Sequence, residues 1–110
     1  MEPVAVNKLH IKVTTLSNVF TIYLSGNFSF EAHREFKTAY KNQLDNSKIG
    51  NIVVNLSEVE YLDSSALGML LVMRDYVQAA NKTLTLSKPS PIALRTFDIA
   101  SFNKIFTINL

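Results

Sequence analysis

Apolar and polar residues alternate from the start of the chain. Leu9, Ile11 and Val13 stand between Lys8, His10, Lys12 and Thr14, the period of a strand with one wet face. Thr15-Leu16-Ser17-Asn18 reads as a turn, and a second strand over 19–24 sets Phe20, Ile22 and Leu24 on one side. The two strands are expected to pair antiparallel. Ser25, Gly26 and Asn27 are expected to break the second strand, and Asn27 or Ser29 to cap a helix running to about Leu44. In that helix Ala32, Phe36, Ala39, Tyr40 and Leu44 share one stripe, while Arg34, Lys37 and Lys41 face away.

Asp45-Asn46-Ser47-Lys48 ends the helix. Ile52-Val53-Val54-Asn55-Leu56 follows, a run rich in β-branched residues that reads as a strand covered by other structure. From Ala66 to Met73 the chain is apolar except for Gly68, and the pattern continues through Tyr76, Val77 and Ala80 as a second helix. Asn81 and Lys82 lead to a fourth strand over 83–87, with Leu84 and Leu86 facing in. Ser90 before Pro91 is a helix start, the serine capping and the proline taking the first helical position. This third helix carries Ile92, Ala93, Thr96, Phe97 and Ala100. A turn over 101–104 then precedes an edge-like strand over 105–108. The order β-β-α-β-α-β-α-β implies an α/β fold with a mixed, partly parallel sheet. Half-polar first, second and fourth strands put the helices mainly on one face. A single domain over 1–110 is expected, with its core at about 9–108.

The junction before the second helix concentrates the chemistry. Asp63, Ser64 and Ser65 stand together between Leu62 and Ala66. Asp and Ser are preferred N-caps, and capping accounts for one side-chain oxygen. A hydroxyl on this first turn also meets free N–H groups and the positive end of the helix dipole, which tolerate an added anion. Plain capping and a modifiable serine both fit the local pattern. Gly68 inside the helix costs roughly 1 kcal/mol relative to alanine. Close approach of a partner surface or packing within the domain would each account for it.

Composition narrows the classes. Of the 110 residues 47% are hydrophobic and 18% charged, which indicates a folded domain. The net charge is only +2 and the 11 Lys and Arg are scattered, so nothing points to nucleic acid. There is no cysteine, which fits a reducing compartment. Met1-Glu2-Pro3-Val4 lacks a signal-peptide pattern, and no apolar run reaches the roughly 18 residues of a membrane span. A cytoplasmic protein without metal or cofactor is expected. Ser64 as a nucleophile would need His10 or His33 as its base. Both read as solvated, and neither Gly-x-Ser-x-Gly nor a glycine-rich phosphate loop occurs, so no enzyme is expected. Phe28, Phe30 and Phe36 read as core and staple residues; exposure of Phe28 or Phe30 beside Ser64 would favour a partner surface.

The element order, Asp63-Ser64-Ser65-Ala66-Leu67-Gly68 and Phe97-Asp98-Ile99-Ala100-Ser101-Phe102 together resemble the STAS domain. More narrowly, residues 9–108 look like a stand-alone bacterial anti-sigma-factor antagonist. That family's motif is Asp-Ser-Ser/Thr-Gly-Leu-Gly with the first serine as phosphate acceptor, which implies Ser64. Ala66 departs from it, and Ser29 in Gly26-Asn27-Phe28-Ser29 replaces the family's aspartate. The resemblance implies partner switching. The unphosphorylated form binds an anti-sigma factor that is also a serine kinase, phosphorylation of Ser64 releases it, and a serine phosphatase restores it. It implies a partner surface of Asp63, Ser65, Ala66, Leu67, Gly68 and Met69, with Asn27 and Ser29 alongside. Asp63 is expected to orient the hydroxyl, and Leu67 with Met69 to form an apolar rim. Weak homodimerisation is compatible with this picture. The alternative is a non-switching accessory subunit docked on a transporter ATPase.

Overall fold

A computed structural model describes residues 8–110. Residues 1–7 of the expected domain lie outside the described residues. β1 (His10–Leu16) and β2 (Val19–Phe28) form a hairpin, followed by a 3₁₀ turn (Phe30–Ala32) and α1 (His33–Lys41). β3 (Asn51–Leu62), α2 (Ser64–Ala79), β4 (Thr83–Ser87), α3 (Pro91–Ile99), a second 3₁₀ turn (Phe102–Lys104) and β5 (Thr107–Asn109) complete the order. The five strands lie in sequence order in one sheet. β1 is antiparallel to β2, and β2, β3, β4 and β5 are mutually parallel. This is the mixed α/β architecture expected from the alternation of elements.

One face of the sheet builds the core. Phe20, Ile22 and Leu24 of β2 and Ile52, Val54 and Leu56 of β3 are buried, while the residues between them are more accessible. Buried side chains of all three helices meet this face: Phe36 and Tyr40 from α1, Leu70, Met73 and Val77 from α2, Ala93 and Phe97 from α3. The opposite face carries a row formed by Thr14, Thr21, Val53, Thr85 and Thr107 across all five strands. β-Branched, hydroxyl-bearing side chains suit a solvated sheet face, so no second helical layer is needed.

The strands differ from expectation at their ends. β1 runs on to Leu16, and only Ser17 and Asn18 turn the chain, Ser17 taking a φ of 54°. β1 is also more exposed than its alternation suggests, because it is an edge strand and Val13 faces no helix cover. β2 continues through Ser25, Gly26 and Asn27 to Phe28, and β3 runs to Leu62. The reason lies in two register shifts between them, at Tyr23/Ser25 and at Gly26/Asn27. At each shift β3 advances one residue more than β2. Ser57 N and Ser57 Oγ both donate to Asn55 Oδ1 at the first irregularity, at 3.0 and 2.7 Å. Such bulges break the period of two, which hides the strand's continuation from a reading by alternation. At the far end, Phe102 and Phe106 stack at 4.7 Å and bury against Phe97, so β5 begins only at Thr107.

Gly26 is buried within β2 at φ 94°, a region that L side chains avoid. Gly26→Ala is expected to destabilise the fold by about 1–2 kcal/mol, read as a lower urea midpoint at unchanged m value.

Candidate functional site

The site is built where β3 runs into α2. Asp63 has extended backbone, and its N–H donates to the Phe28 carbonyl at 3.3 Å, so the β2–β3 pairing continues up to the helix cap. Its carboxylate Oδ1 accepts from Ala66 N at 3.0 Å. Asp63 is therefore the N-cap, and Ser64, Ser65 and Ala66 are the first three helical residues. Capping is completed without either serine. The Ser64 side chain is exposed and, among the described residues, makes no side-chain hydrogen bond. Ser65 is half-buried and turns toward α1.

Among the described residues neither histidine is hydrogen-bonded to Ser64. The His33 ring stacks on Phe30 at 4.8 Å, and its Nδ1–H donates to the Phe30 carbonyl at 2.9 Å. His10 lies exposed on β1. Among the described residues no three His, Asp or Glu side chains converge to hold a metal ion, and no helix is long and apolar enough to cross a membrane.

The residues expected on the partner surface divide. Ser65, Leu67, Gly68 and Met69 are half-buried on the first turns of α2. Ala66 is 0% exposed, which corrects its place on that surface: its methyl group packs into the core. Asn27 is likewise corrected as a cap, being a β2 residue paired with Tyr61. Ser29 precedes the 3₁₀ turn but gives it no side-chain cap; its carbonyl accepts from Ala32 N at 3.0 Å. Asn27 and Ser29 line a separate hollow with Lys8, Glu31 and Glu35.

A second feature escaped the sequence reading. A groove of about 410 Å³ runs between α1 and α2. Phe30, His33, Phe36, Lys37 and Tyr40 form one wall, and Ser65, Gly68, Met69 and Val72 the other. The bond from Asp63 N to the Phe28 carbonyl ties one end together, and Lys37 Nζ over the Tyr76 ring at 5.2 Å closes the other. Phe28, Phe36 and Tyr40 form a ladder of rings beneath it, with centroids 4.9 and 5.6 Å apart. Burial, with a smaller contribution from Tyr76, pushes the Tyr40 phenol up to about 12. Phe28 and Phe36 are core residues as expected, whereas Phe30 is 62% exposed at the groove's mouth. The shared spacings 30, 33, 37, 40 and 65, 68, 69, 72 mark each wall as one helical stripe, but nothing local shows that the stripes face each other.

Gly68 opens onto this groove. Outside its own helix turn, no atom lies within 4 Å of where a β-carbon would stand. Packing inside the domain therefore does not require the glycine.

A match to the STAS domain family covers residues 10–110, and the chain belongs to that family. A STAS-domain containing protein of Pseudomonas aeruginosa is 38% identical over 89 residues, covering 81% of this chain and 86% of that protein. Among solved structures, an anti-sigma factor antagonist from Mycobacterium paratuberculosis superposes with a TM-score of 0.82 at 19% identity, over 96% of this chain and 88% of that one. The unphosphorylated form of the anti-sigma factor antagonist SpoIIAA gives 0.77 at 17% identity, over 92% and 89%. At these identities the structural likenesses establish the fold.

Three substitutions test the geometry. Asp63→Ala should cost about 1 kcal/mol of stability, while Ser64→Ala should stay within roughly 0.5 kcal/mol of the parent, both by thermal denaturation. Gly68→Ala should stabilise the free domain by roughly 1 kcal/mol, since it gains helix propensity and meets no neighbour.

Proposed function

We propose that the chain is an anti-sigma-factor antagonist working by partner switching, with Ser64 as its phosphate acceptor. The observation that carries the reading is the division of labour at the start of α2: Asp63 caps, and the adjacent Ser64 hydroxyl is exposed and uncommitted. Solved relatives in fold support it, since SpoIIAA is known in an unphosphorylated and a phosphorylated form. In this reading the unmodified chain binds an anti-sigma factor that is also a serine kinase. The kinase modifies Ser64 and lets go, and a serine phosphatase resets the cycle. The chain itself is a binding module rather than an enzyme, and it works in the cytoplasm.

The energetics suit a switch. Phosphate adds about −1.5 to −2 charges at neutral pH. On the free domain the helix N-terminus offsets this by something like 0.3–2 kcal/mol. In a docked complex the same group is desolvated against partner surface, at a cost of several kcal/mol. A penalty of about 3–4 kcal/mol weakens binding by two to three decades, with no change of fold required.

The test is incubation with ATP and, one at a time, the serine kinases of the source genome that carry a GHKL-type ATP site. A phosphate mass shift that Ser64→Ala abolishes is the expected result. A chain that stays unmodified with every such kinase contradicts the reading and leaves the accessory-subunit alternative.

A further inference from the structure

We infer that the α1–α2 groove is the docking site for an acidic amphipathic helix of the kinase partner, a refinement that rests on the switching reading above. Three observations converge on it. First, the groove presents apolar surface to solvent: Phe30 is 62% and Val72 49% exposed, and half-buried Met69 also lines the α2 wall. Second, Gly68 leaves the middle of that wall without a side chain, and outside its own helix turn no atom lies within 4 Å of where a β-carbon would stand. A helix that gives up stability at this point without filling the space with its own domain is shaped for close approach from outside. Third, charge is segregated across α1. Glu31 and Glu35 turn to the hollow on the β1 side with Lys8, whereas Lys37 lines the groove. Arg34 and Lys41, at i−3 and i+4 from Lys37, extend a cationic stripe along the exposed side of α1. On the other wall α2 carries no acid between Asp63 and Asp75, and Asp75 lies 3.8 Å from Arg74.

An apolar floor with a cationic border selects an occupant that is apolar on one side and acidic on the other. Seated there, its apolar side chain lies over Gly68 between Phe30 and Val72, and its carboxylates meet Lys37 and its neighbours. The groove begins beside the phosphate acceptor, because Ser65 lines its mouth. A phosphate on Ser64 then stands at the entrance and repels the same carboxylates that the cationic border attracts. Release follows from like charge, and the acidic character of the occupant is what makes the switch respond.

The experiment measures binding of the kinase that modifies Ser64 to the unmodified chain by titration calorimetry. Gly68→Leu, which fills the gap, and Lys37→Glu, which reverses the border, are compared with the parent, and circular dichroism melts confirm that both variants fold. Each is expected to weaken binding at least tenfold, and Lys37→Arg to restore parental affinity. Parental affinity in both folded variants overturns the groove as the docking site while leaving Ser64 phosphorylation intact. If no kinase modifies Ser64, the switching reading fails and this inference falls with it.

Discussion

The hydrogen bond from Ala66 N to the Asp63 carboxylate organises the functional end of this molecule. A helix start has more N–H donors than its own turn can satisfy, and the first polar side chain in place takes up that demand. Here the aspartate does so from extended backbone that is itself tied to the end of β2. The serine after it is left on the first turn with no structural duty. A hydroxyl in that position can change its charge without withdrawing a contact from the fold.

The sheet explains why the cap sits where it does. β3 carries two more residues than β2 across their register shifts, and the strand emerges from them with Leu62 buried and Asp63 at the helix start. Gly26 at positive φ lies at one of these shifts. The irregular end of the sheet, rather than its regular centre, aims the site. Helix cover on a single face leaves α1 and α2 side by side, and their outer stripes enclose a groove that starts at the same end as Ser64. The exposed Ser64 and the groove are thus two consequences of one junction.

Much of this was legible in the chain because it depends on local rules. The Ser90–Pro91 helix start appears as written, with Ser90 Oγ accepting from Ala93 N. The apolar run from Ile52 is a buried strand, and the polar cluster before Ala66 contains a cap. The first two failures share a physical cause, dependence on contacts distant in sequence, and the other two lie in short 3₁₀ turns. Ser25 to Asn27 look like a strand breaker, yet pairing with Glu58, Val59 and Tyr61 keeps them in the sheet. Ala66 sits in a motif that the resemblance assigns to the surface, but the helix's rotation against the core buries it. Phe30 reads as a staple residue, and its exposure follows from the 3₁₀ turn that precedes α1. The expected edge strand is present, but the ring stack of Phe102 and Phe106 delays its start to Thr107.

The central claim is that modifying Ser64 alters what the domain presents while leaving how it folds unchanged. Comparing amide hydrogen exchange of the phosphorylated and unmodified forms tests it most directly. The account predicts altered exchange confined to the first turn of α2, with the buried amides of β2, β3 and the middle of α2 equally protected in both forms. Loss of protection through α2 or in the sheet would show that the phosphate works by unfolding its own helix, and would contradict the account.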